Sequence, residues 1–424
     1  MKILYVSQYF PPEMGAPAAR ASELARHWAA DGHEVTVLTG FPNHPTGILH
    51  AEYRSKIWRL VVREQFEGAK VVRTWLAPLP NRKAHERILN YSSFCISAAV
   101  TGSFLPRCDV VIATSPQLLV GLSGYFISRL RGVPLVFEVR DLWPESLAAV
   151  GVSGPDSLMN RTLGRIAKFL YQAAERIVVV SPAFQPAITR NWGIPEEKIS
   201  VVENGVETDL FSPEPGGMVP GKKFVVSYIG TMGNAHGLTT LLDAAGMLQN
   251  SNPEIEFLLV GEGAEKAALM SQAAQKNLTN IRWMPQQPRE KIPGIIRESD
   301  VCLVLLRKSE VFETVIPTKM LEFMSCGRPL VLGVRGQAQQ IVQAAQCGIC
   351  ISPEEPAELA QAIQKLHGDA ELRKRLGSNG RQYILEHFCR KQLSRKYTGV
   401  LNAVLERKSP HPLPATEEHR QDPV

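Results

Sequence analysis

No run of about 18 uncharged apolar residues occurs in the chain, so no segment is built to span a membrane as a helix. The opening residues, MKILYVSQYFPPE, lack a long apolar core and soon reach Pro11 and Pro12, which argues against a secretory leader. Cysteine is sparse and unpatterned. Cys95, Cys108, Cys302, Cys326, Cys347, Cys350 and Cys389 form an odd set, as expected in a reducing compartment. Cys347 and Cys350 make a C-x-x-C, but no second ligand pair accompanies them, so the pair reads as a turn entering a short strand. No metal site is expected. There is no G-x-x-x-x-G-K-[ST] loop, which disfavours P-loop chemistry. A large excess of one charge is missing too. The net charge of +6 suits an anionic ligand or an anionic membrane surface, and is too small and scattered to argue for nucleic acid.

What is present is ordinary globular material, with 44% hydrophobic and 21% charged residues. At roughly 100–200 residues per domain, 424 residues predict two domains. The first 40 residues read as strand (Ile3–Val6), loop, helix, strand (Val35–Leu38). Pro17 stands where a helix begins. Ala21, Leu24, Ala25, Trp28 and Ala29 give that helix one apolar face, and Gly32 ends it. Such a βαβ unit implies parallel strands.

The same grammar returns after residue 220: a strand (Phe224–Ile229), a glycine-rich loop GTMGNAHG, a helical stripe from Leu238 to Leu248, and a strand (Phe257–Val260) ending in GEG. Between the halves lie Pro213, Pro215, Gly216, Gly217, Pro220 and Gly221, a linker composition. The expected domains are 1–205 and 222–385, joined by 206–221, with a helix over 386–407 and a disordered, proline-rich tail over 408–424. Val110–Ala113, Leu135–Val139, Ile177–Val180, Val301–Leu306 and Pro329–Gly333 supply further strands.

In such α/β sheets ligands lie beyond the carboxyl ends of the strands, where helix N-termini offer free N–H groups. Four loops reach that edge: the one with Gly15, Ala16 and Arg20, then Gly230–Thr231–Met232–Gly233, then Glu262 and Gly263, and finally VIPTKMLEFMSCG. In the last, Pro317 and Thr318 open a helix, and Lys319 and Glu322 fall on one side of it. A lysine at a helix start suits a phosphate, and a carboxylate one turn later suits a ribose diol. The same spacing equally suits a helix-stabilising neighbour pair. GTMG is not G-x-G-x-x-G, and no acidic residue follows at the spacing that holds an adenine ribose, which counts against a dinucleotide oxidoreductase. Arg140 and Asp141 end a strand at the ligand edge or form a buried pair. Asn204 lies in a turn at the junction. The stretch 82–106 carries Arg82, Lys83 and Arg87 and then Ile88, Leu89, Phe94, Ile96 and Phe104. It reads either as a core helix or as a face for an anionic membrane.

Taken together, the loop at Gly15, ENGVETDLF, YIGTMGNAHGL, VGEG and PTKMLEFMSCGRPLV resemble the retaining GT-B glycosyltransferases, in particular the glycosyltransferase 4 family, over nearly the whole chain. QYFPPEMGAPAAR and EVRDLWPES resemble a bacterial subgroup that builds O-antigen, colanic acid and capsule units, N-acetylfucosamine transferases among them. The resemblance implies two Rossmann-like domains facing across a cleft, a C-terminal crossover helix, no divalent metal and no cofactor. It implies a nucleotide sugar, with UDP favoured, and a polyprenyl-diphosphate-linked saccharide as acceptor, met in the cytoplasm at the inner face of the membrane. Glu322 would bind the ribose, Gly15 and Gly230–Gly233 would line the phosphates, and Glu262–Gly263 would lie near the base.

Two departures stand out. The first glutamate of the family's E-x7-E motif falls on Thr314, with Glu313 adjacent, and a family lysine falls on His236. Lys319, Arg307 or Lys308 would then supply the missing charge. Asp141 and Glu313 are candidate sugar or acceptor contacts. The alternatives are an epimerase acting on UDP-N-acetylglucosamine or a non-catalytic nucleotide-sugar binder.

Overall fold

The protein is described by a computed structural model over residues 1–44, 47–79, 84–146, 157–213 and 223–407. The expected tail, residues 214–221 of the linker, and Arg82 and Lys83 lie outside the described residues. Mostly apolar runs of three to seven residues form two sheets. In the first, β1 (Lys2–Val6), β2 (Glu34–Gly40), β5 (Val110–Thr114), β6 (Leu135–Val139), β7 (Arg176–Val179) and β8 (Ile199–Val201) run parallel. A hairpin of β3 (Val61–Phe66) and β4 (Ala69–Thr74) completes the edge, with β3 antiparallel, in the order β3-β4-β2-β1-β5-β6-β7-β8. The second sheet is all parallel: β9 (Phe224–Ile229), β10 (Ile255–Val260), β11 (Ile281–Met284), β12 (Val301–Leu305), β13 (Leu330–Gly333) and β14 (Gly348–Cys350), in the order β11-β10-β9-β12-β13-β14.

In both sheets the strand order reverses at the first strand of the lobe, β1 or β9, which is where open α/β sheets form their ligand crevice. The loops of Gly15 and Gly230 follow those two strands. The sequence reading finds the strand–loop–helix opening of each lobe and misses the β3–β4 hairpin, whose strands mix charged and apolar residues instead of running apolar.

The helix expected over 386–407 runs from Arg390 to Glu406, and a separate helix, Ala370–His387, precedes it, the two broken at Phe388–Cys389. At the break, Val206 and Cys389 form a bridge, with Val206 N–H donating to Phe388 O (2.9 Å) and Arg390 N–H donating to Val206 O (3.0 Å). The last helix then packs on the first helix (Ala16–Ala30), with the Tyr397 and Trp28 rings 5.3 Å apart and Leu393, Leu401 and Val404 buried in the core that holds Ile3 and Trp28. The helix Ala84–Ser103 divides by face. Asn90, Phe94 and Ala98 are buried, whereas Ile88, Leu89, Ile96 and Val100 are exposed, and Phe104 just beyond is 84% exposed. No helix among the described residues is long and apolar enough to cross a membrane.

Candidate active site at the lobe boundary

The second-lobe loops are locked backbone to backbone. Gly230 adopts φ +146°, and a Cβ there would lie 2.8 Å from Lys319 Nζ. A Cβ on Gly261 would sit 2.0 Å from Gly230 O, and one on Gly263 would sit 2.2 Å from Met232 O. Only glycine permits that approach. Met232 N–H donates to Glu262 O (2.9 Å), and Glu265 N–H donates to Met232 O (3.0 Å).

Against this platform stands the helix Thr318–Ser325, with Pro317 as its N-cap residue rather than its first turn. The neighbouring Ile316, Met320, Leu321, Phe323 and Met324 are buried in the second-lobe core, which fixes the helix in place. Lys319 Nζ is shielded from solvent, has no hydrogen-bond partner among the described residues and lies 4.0 Å from the Tyr228 ring centroid. Burial pushes its pKa down to about 7, with Glu322 pulling the other way. His236 stands beside the same ring at 5.9 Å. Burial and then Lys319 push its pKa down to about 3, so the imidazole stays neutral and does not replace a lysine charge.

Two contacts join this helix to the first lobe. Glu322 accepts from Arg289 Nη1 at 2.8 Å, and Arg289 Nη2 donates to Glu23 of the first helix at 2.6 Å. Just before the helix, Thr314 O accepts from Ser181 Oγ at 2.6 Å. Glu313 ends a short helix (Glu310–Glu313) beside this contact, its carbonyl pressed against Gly336. On the second lobe's outer side, Glu262 pairs with Lys266 at 2.6 Å, and Arg307 stands 3.8 Å from Glu265.

The first-lobe loop is arranged differently. Gly15, at φ +122°, caps the first helix, and Arg140 donates to Ala16 O (3.0 Å) and Pro17 O (3.3 Å). Arg140 thus grips the loop instead of bridging to Asp141. Burial raises Asp141 to about 6 against the pull of Arg140.

Arg20 is corrected as a donor contact. It is 1% exposed, and its Nε and Nη2 donate to Glu138 Oε1 at 3.1 and 2.8 Å. Its remaining N–H groups donate to Val202 O, Glu203 O and Asn204 Oδ1. A guanidinium carries five donors, and all are satisfied within the protein. Asn204 Oδ1 accepts from that guanidinium at 3.2 Å. The Met232 side chain is fully buried in core. The sequence reading missed Glu23, Arg289, Tyr228 and the buried Glu138. No motif spacing marks Glu23, Arg289 or Glu138, because each acts across long separations in the chain.

A model described as Glycosyl transferase 4-like domain matches residues 15–205, and one described as Glycosyl transferases group 1 matches residues 216–383. Each lobe thus matches a glycosyl transferase domain model, the first the 4-like domain and the second group 1. WcaI of Escherichia coli (strain K12), whose name assigns it to colanic acid biosynthesis, is 25% identical over 394 residues, which are 86% of this chain and 92% of WcaI. WbjE of Pseudomonas aeruginosa, named a glycosyltransferase, is 25% identical over 65% of this chain and 70% of its own. Among solved structures, sucrose-phosphate synthase of Thermosynechococcus elongatus matches with a TM-score of 0.77 at 19% identity, covering 96% of this chain and all of that one. Anabaena HepE in complex with UDP-glucose matches at 0.70 and 18%, covering 95% and 100%. The architecture is thus that of the GT-B glycosyltransferases, two parallel-sheet α/β domains.

Proposed function

We propose that this glycosyltransferase is a retaining, metal-independent enzyme. It takes an N-acetylamino sugar from a UDP donor and passes it to a lipid-linked or saccharide acceptor in bacterial surface polysaccharide synthesis. The observation that carries the reading is the ammonium of Lys319, shielded, without a hydrogen-bond partner and pressed against Gly230 at the start of a helix. A diphosphate there would meet the helix N-terminus and the cation together. Glu322 holds the ribose, Gly15, Ala16, Gly230, Thr231, Gly233, Pro317 and Thr318 line the phosphates, and Glu262 and Gly263 lie toward the base. Asp141 and Glu313 face the sugar or the acceptor. Residues 1–205 carry the acceptor and 222–385 the donor. UDP is favoured by Anabaena HepE, solved with UDP-glucose, and polysaccharide synthesis by the names of WcaI and of TuaH, a teichuronic acid biosynthesis glycosyltransferase.

The lipid-linked acceptor is met at an anionic membrane. Exposed Ile96, Val100 and Phe104, with Phe126 and Leu130 on the helix Val120–Arg131, give an apolar face rimmed by Arg107 and Arg129. Flotation with anionic liposomes at low salt tests this, and binding equal to that on zwitterionic liposomes would reject it.

The main test is calorimetry of UDP, GDP and dTDP with wild type and Glu322→Ala, followed by NMR of the product's anomeric configuration. UDP should bind best, Glu322→Ala should weaken it, and the product should keep the donor's configuration. Inversion, or unchanged UDP affinity in the variant, would reject the assignment.

A further inference from the structure

Four charged side chains of alternating sign run across the boundary between the lobes. Glu322, on the second-lobe helix, bonds Arg289 at 2.8 Å. Arg289, in the loop after β11, bonds Glu23 of the first helix at 2.6 Å and lies over the Phe211 ring at 5.0 Å. Glu23 bonds Arg390 Nε at 2.8 Å with its other oxygen, and Arg390 Nη2 donates to Gly205 O at 2.7 Å. Glu23 and Arg390 are buried, and Arg289 is three-quarters covered. Charges this far from water persist only when paired and hydrogen-bonded, so the set stands or falls as a unit.

Within that unit Glu322 is the carboxylate assigned to the ribose. One of its oxygens is held by Arg289, and a carboxylate has lone-pair sites for further donors. We infer that Arg289 is a positioning residue that aims and charges the Glu322 carboxylate for the ribose diol, and that Glu23 completes this arrangement only when the first lobe is in place. Nucleotide grip and lobe approach are then one event. This rests on Glu322 binding the ribose. It goes further in naming the two residues, one on each lobe, through which that grip depends on the other half of the molecule.

The electrostatics agree. Burial raises the Glu322 carboxyl and Arg289 opposes the rise. The charged groups around it are Arg289 from the loop after β11, Glu23 from the first helix and Arg390 from the last helix. Lys319 and the Cys326 thiol lie on or next to its own helix. Without Arg289, Glu322 would take up a proton at higher pH and lose half of its capacity to accept.

The test is UDP affinity by calorimetry over a pH series for R289Q, R289K, E23Q and the R289Q/E23Q double variant, each checked for a cooperative melt. R289Q should weaken UDP on the order of tenfold at pH 7 and move the acidic fall-off of binding to higher pH. R289K should recover most of both. E23Q should weaken UDP by less, because Arg289 loses its anchor on the first lobe, and should move the fall-off to lower pH, because the Glu23 carboxylate itself raises Glu322. The double variant should match R289Q in affinity, since the two residues act through one link. Wild-type affinity and fall-off in R289Q and E23Q, alongside weakened binding in E322A, would overturn the link and leave the ribose assignment standing. Unchanged UDP binding in E322A would instead remove the ribose assignment, and the link with it.

Discussion

The two lobes open with the same strand–glycine loop–helix unit, yet they treat positive charge in opposite ways. In the first lobe the cations near the loop are committed. Arg20 has every N–H bonded to Glu138, Asn204 or backbone carbonyls, and Arg140 holds Ala16 and Pro17 through Nη2 and Nη1, with its Nε alone left without a hydrogen-bond partner among the described residues. In the second lobe Lys319 is shielded yet has no hydrogen-bond partner. A buried cation with satisfied donors stiffens a scaffold, whereas one left without a partner has a reason to await an anion. The pair of lobes therefore divides the labour, one giving a rigid wall and the other a charged receptor.

The sharpest way to break this contrast is to exchange the consequences of removing each cation. Arg20→Ala strands the Glu138 carboxylate in the core, where burial alone would lift its pKa and Arg20 now holds it down. It should cost about 3–5 kcal/mol of stability by denaturant titration. Lys319→Ala should instead slow transfer by 10²-fold or more, roughly 2.7 kcal/mol of barrier, without a loss of melting temperature. A stable Arg20 variant, or a Lys319 variant with near wild-type turnover, would erase the distinction.

A finer probe is pH. The Lys319 pKa stands at about 7 in the fold, below its unfolded value. The folded protein therefore binds fewer protons than the unfolded chain above pH 7. The penalty of housing this ammonium is full below pH 7 and is relieved as pH rises toward the unfolded value. A Lys319→Met variant should lack that rise. A bound diphosphate restores the ammonium, so UDP binding should take up a proton near pH 8, read as a binding enthalpy that depends on the buffer's ionisation heat. Smallest of all should be Glu262→Ala. Its pair with Lys266 is half exposed, and stability should change by less than about 1 kcal/mol.

The fold was legible in the sequence where burial on both faces makes strands apolar throughout, as in Leu135–Val139 or Phe224–Ile229. It was illegible at the β3–β4 hairpin, where VVREQF is a half-exposed edge strand and AKVVRT, though mostly buried, carries Lys70 and Arg73 within its short run. The helix over 318–325 was legible because proline and glycine punctuate it and the Lys319–Glu322 spacing carries chemistry. Arg20 misled because an arginine in a loop-proximal helix looks the same whether it faces a ligand or a buried glutamate 118 residues away. Arg289 escaped notice for a related reason, since its partner Glu23 is 266 residues distant.

The return of the last helix onto Trp28 has a consequence for synthesis. The N-terminal lobe is translated first, but its hydrophobic interior lacks Leu393, Tyr397, Leu401 and Val404 until the final turns leave the ribosome. A fragment stopping near residue 205 would leave that apolar seam bare and prone to self-association. The two halves of this chain therefore share one folding fate, and supplying the final helix as a separate peptide should rescue a chain shortened before Arg390.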